Sequence, residues 1–194
     1  VRFTKVEMKE KMLRAARETE GVTLTWEGHF IDPLFTHTTT GFTRPGDEEH
    51  PYLASVSCVH DPEEEGFVQE MIMQPEEAAK RVSAIPAGDG SFRTIPPEAF
   101  PEQVQIISRD EAGYALQLQI GGFPFNGEEV RLALGLPSAC FELNRHGSDV
   151  RFTVRGRGHG WGLSQTEAQA LAEDGWSAEA ILEYFYTGIS FSSE

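Results

Sequence analysis

Apolar and polar residues alternate along this chain in short stretches, and the period of the alternation changes from one stretch to the next. Val6 to Thr19 repeats apolar residues at helical spacing, which predicts an amphipathic helix that Gly21 ends. Val22 to Trp26 alternates as a strand does. After a turn at Glu27-Gly28, a second strand is predicted from His29 to Phe35, and a further one from Tyr52 to Val59.

The remainder of the chain continues this mixture of strand and helix signals. Phe67 to Met73 is predicted as a strand, and Pro75 to Ile85 as a helix with proline at its first position. Ala87 to Pro101 is rich in glycine and proline and is predicted to be loop. The other predicted elements are the hairpin strands 104–107 and 114–120, a helix 127–134 capped by Asn126, paired strands 141–143 and 150–154, and helices Ser164–Glu173 and Ser177–Tyr186.

These elements predict an α+β fold with mostly antiparallel strands, short helices, and two C-terminal helices after a glycine-rich loop. The 194 residues suit a single domain, residues 1–194. The chain begins at Val1 and reads as part of a longer protein. The sequence has no run of about 18 apolar residues, so no membrane span is predicted.

Charge and cysteine content narrow the possible partners. The formal net charge of −15 excludes nucleic acid as an expected partner, because a phosphate backbone would be repelled. Cys58 and Cys140 lie far apart in sequence; two buried free thiols are favoured over one disulfide. Cys58-Val59-His60 is too small a group to predict zinc, so neither a metal nor another cofactor is expected.

The glycine-rich stretch Gly156 to Gly162 is the first candidate for chemistry. Its alternating glycines let the backbone approach a partner closely, and the helix that follows Ser164 begins with free amide groups. With His159 and Gln165 nearby, the loop could hold a sugar or an anion. The alternative is a tight turn packed on the core, in which His159 has a structural role.

A second candidate is the run His37-Thr38-Thr39-Thr40-Gly41, which follows an apolar segment. Several small hydroxyls in sequence could grip sugar hydroxyls, or they could satisfy the backbone of their own loop. Cleavage of a glycan needs a carboxyl group with a raised pKa, and none of the 31 acidic residues is marked by an apolar surround beside these two loops. Asp32 is the most unusual of them, but a turn or cap role is favoured for it.

Seven segments together carry a resemblance to a known family. They are Glu18–Gly28 (ETEGVTLTWEG), Phe35–Gly41 (FTHTTTG), Pro51–Val56 (PYLASV), Glu129–Leu136 (EVRLALGL), Arg155–Gln165 (RGRGHGWGLSQ), and the C-terminal pieces 168–175 and 181–188. In this order they resemble the stage II sporulation protein D family, which includes amidase enhancers of bacterial cell walls. The resemblance covers the chain except for about residues 60–103, which are interpreted as a variable insertion.

The resemblance implies a peptidoglycan lytic transglycosylase that acts on peptide-stripped glycan strands during engulfment and leaves 1,6-anhydro-muramic ends. It implies a cell-wall amidase as partner and an extracytoplasmic location with a membrane anchor in the full-length protein. By position, Thr39, Thr40, Gly41 and Tyr52 match residues that line the glycan cleft. The matches in the adjoining signature loop are His159, Ser164 and Gln165.

This chain departs from the family pattern in one respect that matters for activity. The family's catalytic glutamate belongs to a segment upstream of every motif found here, so the catalytic residue is unassigned and this chain alone is expected to be inactive. Phe42 replaces a glycine, which could narrow the cleft, and Thr166-Glu167 replaces an aromatic-glycine pair. The alternative function is a glycan-binding module that activates a cell-wall amidase without cutting.

Overall fold

The structure is a computed structural model that describes residues 5–193, and within them it contains five α-helices and eleven strands. The helices are α1 (Lys5–Glu18), α2 (Pro75–Ser83), α3 (Gly127–Leu134), α4 (Gln165–Glu173) and α5 (Ala178–Phe185). The strands are β1 (Val22–Trp26), β2 (His29–Phe30), β3 (Phe35–Thr36), β4 (Val68–Met73), β5 (Val104–Arg109), β6 (Ala115–Ile120), β7 (Phe123–Asn126), β8 (Phe141–His146), β9 (Asp149–Arg155), β10 (Leu163–Ser164) and β11 (Ser190–Ser193).

The described strands form four small sheets. Their orders are β11-β1-β2, β10-β3, β4-β9-β8 and β5-β6-β7. All of the named strand pairs are antiparallel except β3 with β10, which run parallel. The predicted α+β class with mostly antiparallel strands is therefore confirmed.

Two apolar cores hold these sheets together. The larger core packs α2 and α3 between the sheets β4-β9-β8 and β5-β6-β7, with fully buried side chains such as Val82, Leu118, Val130 and Phe152. The smaller core packs α4 and α5 against the segment that follows residue 50. Burial of such aliphatic and aromatic side chains contributes about 1.5–3 kcal/mol each.

The helices and hairpins predicted from local signals are confirmed to within a few residues. Asn126, Ser164 and Ser177 cap α3, α4 and α5, each accepting a hydrogen bond from a backbone amide of the first turn. Both cysteines are buried free thiols, as favoured. Burial raises the pKa of the Cys58 thiol to about 12, which keeps it protonated and inert.

Two strand predictions are wrong. His29 to Phe35 is not one strand: β2 and β3 have two residues each and belong to different sheets. Tyr52 to Val59 makes only isolated bridges, at Leu53 and Ser57. Its apolar residues Tyr52, Leu53 and Cys58 are buried in the smaller core instead, so tertiary packing rather than strand pairing explains the apolar pattern.

The segment from 60 to 103 contributes to the fold as well as to the surface. Within it, β4 pairs along its whole length with β9, from Val68 opposite Arg155 to Met73 opposite Val150. Three residues of α2, Ala78, Ala79 and Val82, lie in the larger core. The reading of 60–103 as a family-variable insertion stays a prediction.

Candidate functional site

The two loops singled out from the sequence run side by side. We call residues 36–44 the hydroxyl loop and residues 156–162 the glycine loop. Thr38 and Arg157 exchange backbone hydrogen bonds of 3.0 and 2.8 Å, and the amide of Arg44 donates to Gly160 O at 2.8 Å. The Thr36 hydroxyl donates to Arg157 O and accepts from the Gly160 amide. One loop therefore fixes the conformation of the other.

Glycine is required in this arrangement because the partners lie too close for a side chain. Gly160 has φ +85°, and a Cβ there would lie 2.5 Å from Cζ of the buried Tyr114 ring. A Cβ on Gly156, with φ +73°, would lie 2.8 Å from Thr39 O. These contacts are those of a turn packed on neighbouring segments of the chain, and binding of a sugar or an anion by the glycine loop stays a prediction.

Arg44, at the end of the hydroxyl loop, is an enclosed cation stacked between two aromatic rings. Its guanidinium carbon lies 3.8 Å from the ring centre of Trp161 and 4.8 Å from that of Tyr114. Its Nε donates to Asp110 at 2.6 Å, and one Nη donates to Glu128 at 3.2 Å and to His159 O at 3.1 Å. Because its donors and charge are matched, this buried Arg holds the Trp161 ring in place by packing on it.

In front of Trp161 lies a cavity of about 390 Å³, here called the central cavity. Its apolar walls come from Leu34, Leu53, Leu116 and Trp161, and its polar groups include Arg44, Asp110, Asp47 and His50. The indole Nε1 donates to Pro45 O at 3.2 Å, which holds the ring in place. A fixed aromatic ring in a largely apolar cavity with few polar groups is typical of a binding site for an organic ligand.

Two further cavities extend the central one, and we call the three together the groove. A cavity of about 410 Å³ shares His50 with the central cavity and contains Trp26, Phe30 and Tyr52. A cavity of about 330 Å³ shares Leu116 with it and contains Arg93 and Phe125. Neighbouring cavities have a wall residue in common, so the three lie side by side along the protein.

His159, one of the predicted site residues, is half-buried beside the central cavity. Its ring lies 5.5 Å from that of Trp161, and its Nδ1 accepts a hydrogen bond from the Trp161 amide at 3.0 Å. Desolvation lowers the pKa of His159, so the imidazole is neutral at pH 7 with its proton on Nε2. Its observed contacts orient Trp161.

A carboxylate that the sequence did not reveal joins the two candidate segments behind the groove. Asp61 is fully buried, and its Oδ2 accepts hydrogen bonds from the amide and the hydroxyl of Thr39, at 2.5 and 2.6 Å. The Ser164 hydroxyl lies 2.8 Å from both carboxylate oxygens. Burial raises the pKa of Asp61, although these three donors oppose the shift.

The sequence marked no acidic residue by an apolar surround beside the two loops, yet Asp61 is buried there among hydrogen-bond donors. A second carboxylate, Glu167, is also buried, and it bonds the amide of His60 at 2.8 Å and lies 3.0 Å from the His60 ring nitrogen Nδ1. Asp61 and Glu167 lie more than 100 positions apart along the chain. Because Asp61 is followed by proline in a polar stretch, local sequence carried no sign of its burial.

The structure brings the predicted site residues to one region but engages most of their polar groups internally. The hydroxyls of Thr39 and Ser164 meet on Asp61, and that of Thr40 donates to Ala112 O at 2.6 Å. The Tyr52 hydroxyl bonds the backbone of Asp32, while the side chain still borders the groove. Gly41 donates to the Thr39 hydroxyl, and Gln165 is exposed at the start of α4.

Sequence reasoning missed Arg44, Asp110 and Trp161 as a group, although Trp161 lies inside the glycine loop. No local pattern could have joined Arg44 to Asp110, since the two are 66 positions apart. Within residues 5–193, no group of three or more His, Cys, Asp or Glu residues could hold a metal ion. The same residues include no helix that is both long enough and apolar enough to cross a membrane.

Comparison with known proteins agrees with the family resemblance. The chain is 29% identical over 187 residues to stage II sporulation protein D of Bacillus amyloliquefaciens, and equally so to that of Bacillus subtilis (strain 168). Each match covers 94% of this chain and 51% of the relative, so the chain spans about half the length of the curated relatives it matches. This similarity confirms the resemblance to the stage II sporulation protein D family.

A family model of a different kind matches only the N-terminal part of the chain. A family model described as the L1 transposable element RBD-like domain, Transposase_22, matches residues 1–31. It reaches only α1, β1 and β2 and ends before the hydroxyl loop. Of the groove it includes only residues 26 and 29–31 in the flanking cavity of about 410 Å³, and it includes no residue of the central cavity.

Proposed function

We propose that this chain forms the glycan-binding groove of a sporulation-type peptidoglycan lytic transglycosylase. The ligand is a peptide-stripped glycan strand, which the whole enzyme cleaves to leave 1,6-anhydro-muramic ends. The observation that carries the proposal is the Trp161 ring, which packs on Arg44 and borders the central cavity. The similarity to proteins named stage II sporulation protein D supports the same assignment.

The chemistry of the groove suits an amino-sugar polymer. A pyranose ring has an apolar face of C–H groups that packs on an aromatic ring, and burying that face releases water from both surfaces. The central cavity offers this ring together with a few polar groups that could bond hydroxyls and acetamides. The flanking cavities provide room for neighbouring sugars, as a linear polymer requires.

The alternative, a non-catalytic module that binds glycan and activates a cell-wall amidase, draws support from the acids of the central cavity. A general acid must hold a proton near neutral pH, which requires a raised pKa. Asp110 is ion-paired with Arg44 at 2.6 Å. A hydrogen bond from His50 lowers the pKa of Asp47. Asp47 is therefore suited to remain ionised rather than to donate a proton, and Asp110 is engaged by Arg44.

Either function places the protein outside the cytoplasmic membrane, anchored in its full-length form and beside an amidase partner. A substrate of this kind lies in the cell wall, and both functions act on the same strands. In both cases the groove binds the strand, so a binding experiment tests their common part.

The test is titration of chitotriose into the protein, followed by calorimetry, with Trp161→Ala compared with the wild type. Loss of the stacking ring is expected to weaken binding by about tenfold or more, because burial of one apolar face contributes roughly 1–3 kcal/mol. Trp176→Ala is the matched control, since Trp176 is exposed and packs on Tyr184 outside the groove residues. Equal affinity of Trp161→Ala and the wild type would overturn the proposal.

A second measurement separates the two functions. Peptide-free glycan is incubated with this chain and the products are examined by mass spectrometry for anhydro-muramic ends. We expect no such ends from this chain alone, since the acids of the central cavity are engaged by Arg44 and His50. Their appearance would favour the enzyme and would show that a carboxyl group within these 194 residues acts as the acid.

A further inference from the structure

The cavity at one end of the groove contains a cation held in a fixed position. Arg93 lies on the rings of Phe123 and Phe125, with its guanidinium carbon 5.7 and 5.1 Å from their centres. One Nη donates to Pro124 O at 2.6 Å. A planar guanidinium stacked on two rings and bonded at one nitrogen is pre-organised, and its other N–H groups remain for a ligand.

The charge of Arg93 is balanced differently from that of Arg44. Arg44 has both Asp110 and Glu128 within 4.0 Å. In the part of the chain that the structure describes, Arg93 takes part in none of the ion pairs within that distance. The acids nearby are Asp89, whose carboxylate bonds Ser91, and Glu129, which borders the same cavity.

We propose that Arg93 binds a carboxylate carried by the groove ligand and thereby selects acidic amino-sugar polymers over neutral ones. This inference rests on the proposed function and adds the chemical class of its ligand. In peptide-free muramic acid the lactyl group ends in such a carboxylate. A guanidinium matches a carboxylate with two parallel N–H···O bonds, so one charged group at the end of the groove distinguishes the two polymers.

The position of Arg93 in the groove supports this role. Its cavity shares Leu116 with the central cavity, so a ligand stacked on Trp161 could extend to the guanidinium. Gln117 and Asn126 also border this cavity and could bond the hydroxyls of the same sugar. In a chain with a net charge of −15, a cation at the groove is also the feature that would overcome repulsion of an anionic strand.

The test compares two ligands of equal length, a peptide-free tetrasaccharide of alternating N-acetylglucosamine and N-acetylmuramic acid, and chitotetraose. The wild type is expected to bind the muramic ligand roughly three- to tenfold more tightly at low salt, and the preference should shrink as salt is added. Arg93→Gln should abolish the preference, because it should weaken binding of the muramic ligand more than binding of chitotetraose. Glu129→Gln should increase the preference, because it removes the carboxylate that repels the ligand.

Arg145→Gln is the matched control, since Arg145 is an exposed arginine paired with Glu102 and is absent from the groove. Equal binding of the two ligands by the wild type would overturn the inference while leaving the proposed function intact. An Arg93→Gln variant that loses both ligands equally, or that keeps the preference, would overturn it as well. If the wild type binds neither tetrasaccharide, the proposed function fails together with the inference.

Discussion

Two charged side chains, Arg44 and Asp61, are buried near the groove, and their charges are balanced in different ways. Arg44 is paired with two carboxylates and stacked on two rings. Asp61 accepts only neutral donors among the described residues, from Thr39 and Ser164. An ionised carboxylate surrounded by neutral donors is less well compensated than an ion pair, which is why desolvation dominates and raises the pKa of Asp61.

Asp61→Ala should destabilise the protein by about 2–4 kcal/mol, because it leaves the amide and hydroxyl of Thr39 without this acceptor and leaves the Ser164 hydroxyl only the longer bond to His37 O. Urea unfolding followed by circular dichroism measures the change. Glu63→Ala is the control, since Glu63 is an exposed acid in the short 3-10 helix Asp61–Glu63. This substitution should lower stability by less than about 0.5 kcal/mol. Equal losses in the two variants would contradict the role given to Asp61.

His60 gives the stability a pH dependence of predictable sign. Its hydrogen bond with Glu167 raises the pKa of His60 above the ordinary value of 6.5. A histidine with a raised pKa in the folded state stabilises it fully below that ordinary value and loses this effect as the pH rises through the folded pKa. The raised pKa of Asp61 acts in the same direction, at the lower pH where a carboxyl ordinarily titrates.

We therefore expect the melting temperature of the wild type to fall relative to that of His60→Gln between about pH 6 and pH 8. The comparison is made against His60→Gln because the lowered pKa of His159 acts in the opposite direction in the same range. Thermal melts at several pH values in that range, followed by circular dichroism, provide the comparison. His29→Gln is a control, because His29 is exposed on β2 and should leave the slope unchanged. A His60→Gln slope equal to that of the wild type would count against the His60–Glu167 pair.

At the scale of elements, the glycine loop depends on glycine for its left-handed backbone and for its lack of a side chain. Substitution can separate these two properties. Gly160 and Gly122 have nearly the same left-handed φ, +85° and +86°. A Cβ on Gly160 would collide with Tyr114, whereas nothing lies within 4 Å of a Cβ on Gly122. The difference between the two alanine variants therefore reports close packing alone.

Gly122→Ala should cost about 1–2 kcal/mol, the strain of a left-handed backbone with a side chain. Gly160→Ala should cost at least about 1–3 kcal/mol more, because the Tyr114 ring must also move. Urea unfolding measures both variants. If they lose the same stability, close contact with Tyr114 does not explain the glycine at position 160.

The elements that the sequence predicted well are those whose signals are local. Asn126 with α3, and Ser164 with α4, carry cap and periodicity signals within a few residues. The predicted strand from Tyr52 to Val59 is wrong because its apolar pattern reflects burial under α4 and α5. These contacts join residues more than 100 positions apart. The same distinction between local and long-range signals holds for the site. The two loops could be identified from their motifs, whereas the contacts of Arg44 and Asp61 depend on the completed fold.

At the scale of the whole molecule, the two apolar cores are joined at the groove. Arg44 leaves the hydroxyl loop, stacks on Trp161 beside the smaller core, and bonds Asp110 and Glu128, which follow β5 and begin α3. The floor of the central cavity is thus also a junction between the two halves of the fold. Ligand binding on this junction should stabilise both halves together, since a ligand that binds only the native state shifts the unfolding equilibrium.

Arg44→Met tests this junction. The variant removes the buried cation and leaves Asp110, Glu128 and His159 O short of a partner, so we expect a loss of about 3–5 kcal/mol in stability. Because Arg44 links the cores, unfolding should also become less cooperative, with a smaller urea m-value or separate transitions by near-UV and far-UV circular dichroism. Arg145→Met, which breaks an exposed ion pair, should leave both quantities nearly unchanged. A single sharp transition in Arg44→Met, at wild-type stability, would mean that the cores are joined by packing alone and that Arg44 serves only to support Trp161.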